Sequence, residues 1–213
     1  MEIKSGVRSQ KSAKLKLAIL SATTRLIGER SFKELHISEL CEAVNISKVT
    51  LFKYFPQKED ILLYYMRVWA LHRTVELSIN GKTGVSGIHH LVDKLSETFE
   101  RHPGLVLSYV GHMANIQIIQ KPFTVKEAER KILYPDLENI KSIEIKSLEQ
   151  MLETFLLEAI FNREITGSSN TQDLTYMVVS VIYGAVLTAH IHRIKPTKLY
   201  FRRNIETVLK GMS

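Results

Sequence analysis

Residues 44–60 read VNISKVTLFKYFPQKED, and Pro56 limits what they can form. Proline lacks an amide and pushes its predecessor out of the helical region, so a helix in this stretch stops by Phe55. Ser47 is a natural N-cap, its hydroxyl placed to accept the amide of Val49 or Thr50. Ile46 and Leu51 then sit where a hydrophobic staple forms. Asn45 suits a left-handed turn. The spacing predicts a helix of about two turns. Leu51, Tyr54 and Phe55 share one side of it; Val49 and Lys53 face the other, with Thr50 and Phe52 on the flanks. A short capped helix showing a methyl pair, a lysine and a hydroxyl has the shape of a helix that reads DNA.

His36 to Val44 (HISELCEAV) supplies the other half of a motif. Ile37, Leu40, Cys41 and Val44 fall on one stripe at helical spacing. Helix, short turn and second helix make a helix-turn-helix over residues 36–55. A tight helical hairpin in an all-α core has the same pattern. Charge favours the first reading. Residues 1–58 hold 11 Lys+Arg and 5 Asp+Glu, and residues 59–213 hold 18 and 17, so +6 of the net +7 lies beside the motif. Lys4, Arg8, Lys11, Lys14 and Lys16 form a basic arm opposed by Glu2 alone. Such a patch favours a polyanion through phosphate contacts and counterion release. A solvated tail has the same composition, and an arm can stay disordered until it meets DNA.

Residues 14–71 resemble the DNA-binding domain of TetR-type transcriptional regulators. The likeness rests on Ile19, Leu20 and Ala22, on Leu26 and Phe32, on ISELCEAV and NISKVTLFKYF, and on KEDIL at Lys58 to Leu62. There are departures. Ser31 and Asn45 stand where the family has Gly, and both remain turn formers. His36 replaces a Thr-like cap, and Gln57 a Ser-like one. Phe52 replaces a common Tyr whose hydroxyl meets DNA. The resemblance implies that Ser47, Lys48, Thr50, Tyr54 and Lys58 touch phosphates of double-stranded DNA, while Val49 and Lys53 point toward bases. It also implies an all-α chain in three parts: a basic arm at 1–13, a three-helix helix-turn-helix domain at 14–72, and a larger helical domain for ligand binding and dimerisation at 73–213.

Composition agrees. With 213 residues, 45% hydrophobic and 24% charged, the chain is globular. Its single cysteine, Cys41, excludes an intrachain disulfide and fits a reducing, cytoplasmic compartment. The basic amino terminus lacks the apolar run of a signal peptide. Leu174 to His192 carries no formal charge, but its threonines, Ser180 and two histidines favour a buried helix over a membrane span.

The remainder reads as helix, with no strand pattern. Leu15, Ala18, Ile19, Ala22 and Leu26 make the stripe of the first helix. A long helix follows over 58–79, with Ile61, Tyr65, Val68, Trp69, His72 and Val75 facing inward. Asn80 to Gly87 (NGKTGVSG) reads as a linker. Further helices are expected over 88–101, 105–119, 143–165, 174–193 and 198–209. Leu174, Val178, Val181, Gly184 and Ala185 are candidate dimer contacts, although one monomer can also bury such a run. The resemblance implies a homodimer through a four-helix bundle of the final long helices, which presents two reading helices to a palindromic operator. It also implies an effector pocket in the middle of the chain. Candidate lining residues are Tyr109, Met113, Ile116, Gln117, Phe155 and Tyr183, a set that packing residues would match equally. Tyr109 and Gln117 stand out because a buried polar group needs a partner.

The eight histidines do not make a metal site. His89 and His90 point about 100° apart on a helix. No HxxxH, CxxC, HExxH, GxSxG, P-loop or GxGxxG occurs. Neither metal, cofactor nor catalysis is expected, and Cys41 falls on a buried stripe. Two function classes compete. One is a ligand-responsive DNA-binding regulator, a repressor released by a small apolar or amphipathic effector. The other is a helical small-molecule carrier or an enzyme that kept the domain without operator binding. A carrier has no need for Ser47, Lys48, Thr50 and Lys53 beside a basic arm.

Overall fold

The computed structural model describes residues 2–115, 124–166 and 170–211, with side chains from residue 7 onward. Among them there are ten α-helices and two 3₁₀ turns, and no strand. They are α1 (Glu2–Ile27), a 3₁₀ turn at Phe32–Glu34, α2 (Ile37–Val44), α3 (Lys48–Tyr54), α4 (Asp60–Asn80) and α5 (Gly84–Arg101). After these come α6 (Pro103–Asn115), α7 (Glu127–Leu133), a second 3₁₀ turn at Glu138–Lys141, α8 (Leu148–Phe161), α9 (Thr171–Ile191) and α10 (Thr197–Gly211). The chain divides into two compact units, Met1–Trp69 with Gly104–Glu144, and Ala70–Pro103 with Ile145–Ser213. Helix α4 contributes residues to both.

In the first unit, residues 2–13 of the basic arm are the opening turns of α1 rather than a tail. The expected stripe of α1 needs correcting. Ile19 and Ala22 are buried, but Leu15 and Leu26 are only half-buried and Ala18 is exposed. The buried face also holds Ala13, Lys16, Leu20, Thr23 and Ile27. Apolar periodicity passes over its two polar members. Thr23 donates its hydroxyl to the Ile19 carbonyl at 2.8 Å, and Lys16 pairs with Glu129 of α7 at 3.3 Å. A polar side chain occupies a core position once it is partnered.

Two later segments complete this unit. Gly104, at the start of α6, lies so close to the corner after α1 that a Cβ would land on the Arg30 carbonyl oxygen. Nearby, the Phe32 amide donates to the Ser108 hydroxyl of α6 at 2.9 Å. Around α7, Arg130 gathers irregular backbone, donating to the carbonyls of Val125 at 2.9 Å and Ile143 at 2.6 Å. These bonds satisfy loop carbonyls that no helix can serve.

The second unit is a ring of helices in which α5 packs on α8, α8 on α9, α9 on α10, and α10 back on α5. Helix α5 starts at Gly84, inside the expected linker. Carboxylates from α8 and just beyond it explain the early start. Glu158 accepts the Gly84 amide at 3.0 Å and Glu164 the Val85 amide at 2.6 Å, so donors left orphaned by the helix start are satisfied. Gly87 is a contact residue, since a Cβ there would meet the Phe155 ring at 2.6 Å. At the other end of the ring, Arg202 grips Asp93 with two bonds of 2.5 Å, and Lys198 adds a third cation contact at 3.1 Å. Glu100 accepts the Thr197 amide at 3.0 Å at the start of α10. Helix α8 runs over Leu148–Phe161, shorter than the expected 143–165, because Ser147 caps it by accepting the Gln150 amide at 3.1 Å.

Candidate nucleic-acid interface

The two helices of the motif meet at a tight corner. Asn45 closes α2 in the left-handed region, with φ 55° and ψ 55°. The Asn45 amide reaches the Glu42 carbonyl at 3.2 Å and the Ile46 amide the Cys41 carbonyl at 2.9 Å, the bonding of a helix-terminating αL turn. Ser47 then accepts the Thr50 amide at 3.2 Å and shares a hydroxyl contact with Thr50 at 3.0 Å. On the inner side, Leu51 and Phe55 are fully buried, and the Phe55 ring lies 5.5 Å from that of Tyr64. The cap and the anchor leave the opposite side in solvent. Val49 is 81% exposed and Phe52 41%, with Ser47, Lys48 and Lys53 also exposed and Thr50 and Tyr54 half-buried.

Carboxylates do capping work that the sequence argument did not assign. The Ser31 amide donates to Glu34, the His36 amide to Glu39 and the Gln57 amide to Asp60, each at 2.7 Å. His36 makes no side-chain cap, so Glu39 carries the start of α2. That amide, followed by the Arg30 guanidinium at 3.1 Å, holds the Glu39 carboxyl below its ordinary range. The signal was readable: at all three places an acid follows the first residue by three positions.

Lys58 has a local role. Its ammonium donates to the carbonyls of Phe32 and Lys33 and lies 4.7 Å from the centre of the Phe32 ring. Burial draws its pKa below the ordinary lysine value. Of the three ammonium protons, one remains for a phosphate.

The other candidate residues are spread over both units. Tyr109 is half-buried and Met113 exposed on α6, in the first unit. Phe155 is buried against α5 and Tyr183 half-buried on α9, in the second. Ile116 and Gln117 lie outside the described residues. On α9, Leu174, Val178 and Ala185 face the core of the second unit, Val181 is half-buried, and Gly184 is exposed. The outward side of α9 instead carries Met177, Ser180, Gly184, Leu187 and Ile191 at steps of three and four. Thr154, Leu157 and Phe161 repeat that spacing on α8, and Phe161 is 87% exposed. By length and composition α9 is apolar enough to cross a membrane, yet it packs on both α8 and α10. Among the described residues no cluster of His, Cys, Asp or Glu could hold a metal.

Residues 19–65 match the family profile of bacterial regulatory proteins, tetR family. This segment, which holds the helix-turn-helix, is therefore a TetR-type domain. A comparison with curated proteins returned no match. Among solved structures, the chain is similar to the transcriptional regulator FadR of Bacillus subtilis, in complex with stearoyl-CoA. Identity is 17%, the TM-score is 0.61, and the match covers 92% of this chain and 99% of that one. It is similar to FadR of Thermus thermophilus, a TetR-family repressor in complex with lauroyl-CoA, at 18% identity and a TM-score of 0.62, over 93% and 95% of the two chains. A TetR regulator of Haloarcula marismortui matches at 19% identity and 0.60, over 93% and 98%. At these identities the likeness is one of fold.

Proposed function

We propose that this protein is a homodimeric, sequence-specific repressor released from a palindromic operator by a small amphipathic effector. The observation that carries the reading is the solvent side of α3, where an 81% exposed valine stands between lysines and hydroxyls. An exposed methyl pair costs solvation free energy on a protein that stays alone. It fits a thymine methyl in a major groove, flanked by cations for phosphates and base edges. Lys53 and Val49 take the base-reading role. Ser47, Lys48, Thr50, Tyr54 and the remaining proton of Lys58 take the phosphates.

The outward stripe of α8 and α9 supports a dimer. Steps of three and four with Leu157, Phe161, Met177, Leu187 and Ile191 are the pattern of helices that pack into bundles. Ser180 and Gly184 within it allow close approach. A two-fold pairing of these helices gives two reading heads. The effector class draws on the stearoyl-CoA and lauroyl-CoA complexes of the two FadR proteins. Helix α4 is one of the covalent links between the units, and it continues from the reading corner, so a ligand that prefers one setting of α4 changes operator affinity by its differential affinity for the two states.

Capture of genomic fragments by the purified protein, followed by footprinting, tests the reading. A protected site with two-fold symmetry is expected, with protection lost on adding an effector. Uniform binding to all fragments, with no footprint, would remove the operator.

A further inference from the structure

The inner face of α1 does not end where its apolar residues do. Ser9, Ala13, Lys16, Leu20, Thr23 and Ile27 follow at steps of three and four, with Arg8, Ser12 and Ile19 beside them on the same side. Toward the amino end this face turns polar. There Arg8, Ser9 and Ser12 stand opposite Lys126, Ala128 and Glu129 at the start of α7, across a cleft of about 370 Å³. A seam that only packs interlocks apolar ridges; this one keeps hydroxyls and cations around an open space.

The charges around the cleft do not balance. Glu129 is its one carboxylate, and that is already paired with buried Lys16 at 3.3 Å. Glu127 is turned to Lys131 at 3.0 Å and Lys141 at 2.8 Å. Arg8 and Lys126 form no ion pair among the described residues. With Glu129 paired to Lys16, the two cations of the lining, Arg8 and Lys126, face no carboxylate of the cleft that is still uncompensated. The Lys126 amide is taken by Glu129 at 2.6 Å, so side chains rather than a helix end must hold any ligand.

We propose that this cleft binds a small phosphate monoester, clamped between Arg8 and Lys126 with the hydroxyls of Ser9 and Ser12 as further donors. A dianion cancels the excess of two positive charges. Guanidinium and phosphate match in geometry as well as charge. The volume admits the phosphate and a small organic group. Beneath the cleft, the Lys16 ammonium lies 4.7 Å from the centre of the Tyr64 ring and 5.8 Å from that of Phe55. Phe55 closes α3, so a dianion that competes with Glu129 for Lys16 acts on the anchor of the reading helix. This last step rests on the operator reading above; the binding site does not.

Calorimetric titration of the full chain with inorganic phosphate and with glycerol 3-phosphate tests the site, with glycerol as the neutral control. Saturable binding of both anions is expected, with none for glycerol. In an Arg8→Gln/Lys126→Gln double variant, affinity should fall at least about tenfold, roughly 1.4 kcal/mol, with an unchanged urea midpoint. If that variant does not fold, Lys126→Glu at the exposed rim gives the same readout. Absence of saturable phosphate binding to the unaltered protein, or equal binding to the variant, overturns the proposal. So does a variant that lowers the salt slope for duplex DNA by about two units when free phosphate does not bind, since both cations are then DNA contacts. Phosphate that binds yet leaves operator affinity unchanged overturns the link to α3.

Discussion

The reading corner and the helical ring of the second unit are held at different ranges along the chain. At the corner, Ser31–Glu34, His36–Glu39, Ser47–Thr50 and Gln57–Asp60 each bridge three residues. In the ring, Glu158–Gly84, Glu164–Val85, Glu100–Thr197 and Asp93–Arg202 bridge 74, 79, 97 and 109. Local caps of this kind close with little loop-closure entropy. In the ring, α8 and α9 have local caps at Ser147 and Asn170, but the starts of α5 and α10 and the Asp93–Arg202 clamp exist only once distant helices have met. The two regions also leave different faces in solvent. Helix α3 mixes Val49 and Phe52 with Lys48 and Lys53, whereas the outward stripe of α8 and α9 has apolar, small and hydroxyl side chains but no cation.

That second contrast gives the largest expected effect. Phe161→Glu or Leu187→Glu places a charge on the outward stripe, where each side chain is exposed in the chain alone. Each variant should stay folded but become monomeric in light scattering. Operator affinity should then drop by about 10²–10⁴-fold, as the two heads cease to bind as one unit. Ala185→Glu is the control, because Ala185 faces the unit's own core and an unpaired buried charge there should yield insoluble protein. A dimeric Phe161→Glu with normal affinity would move the interface elsewhere.

Gly104→Ala should come next. The new methyl meets a backbone carbonyl, at Arg30, which cannot swing aside as a side chain can. The seam between α6 and the corner must open, at a cost of about 3 kcal/mol. Urea unfolding reads it directly. A change under about 0.5 kcal/mol, the usual range for surface substitutions, would mean that the close approach is not maintained in solution.

How much could be read from the chain follows the same division. The cap at Ser47, the left-handed Asn45 and the end of α3 ahead of Pro56 were legible because each depends on neighbours a few residues away. The early start of α5 was not, whereas the start of α8 rests on an equally local cap, Ser147 with Gln150, that the helical stripe over 143–165 overran. Gly84 and Gly87 look like linker residues until Glu158, Glu164 and Phe155 are placed beside them. The same limit hid the inner face of α1, since nothing near Lys16 in sequence announces Glu129. On α9 both sides are apolar enough that periodicity could not tell core from outer stripe. Gly184 alone among the five expected contact residues is exposed there.

Within the corner, two lysines separate reading from holding. Lys53→Ala should cost roughly 1–3 kcal/mol on the preferred operator and relax specificity at one base pair, without changing stability. Lys58→Ala should lower stability by about 1.5 kcal/mol, because two carbonyls lose a charged donor. It should also reduce the salt slope by at most about one unit, through its one free proton. Paired urea and salt titrations of the two variants distinguish the roles. Equal stability losses would erase the difference between them.

The smallest effect tests the long-range clamp and depends on pH. Burial alone would raise the Asp93 carboxyl, but bonds from Arg202 and Lys198 outweigh it and hold the group below its ordinary range. A carboxyl whose pKa is lower when folded stabilises the protein above its unfolded value of about 3.9. That contribution is lost as pH falls through the folded value. Asp93→Asn removes the charge while keeping the shape, so it should cost about 1 kcal/mol near neutrality, a modest figure because Arg202 is 43% exposed. The difference between variant and unaltered protein should persist down to about pH 4 and shrink below it. Salt should also shrink it, since the cations are accessible to solvent. Unfolding curves in urea at several acidic pH values measure this. A constant difference across the whole range would assign the stabilisation to packing of α10 on α5 rather than to the ion pair.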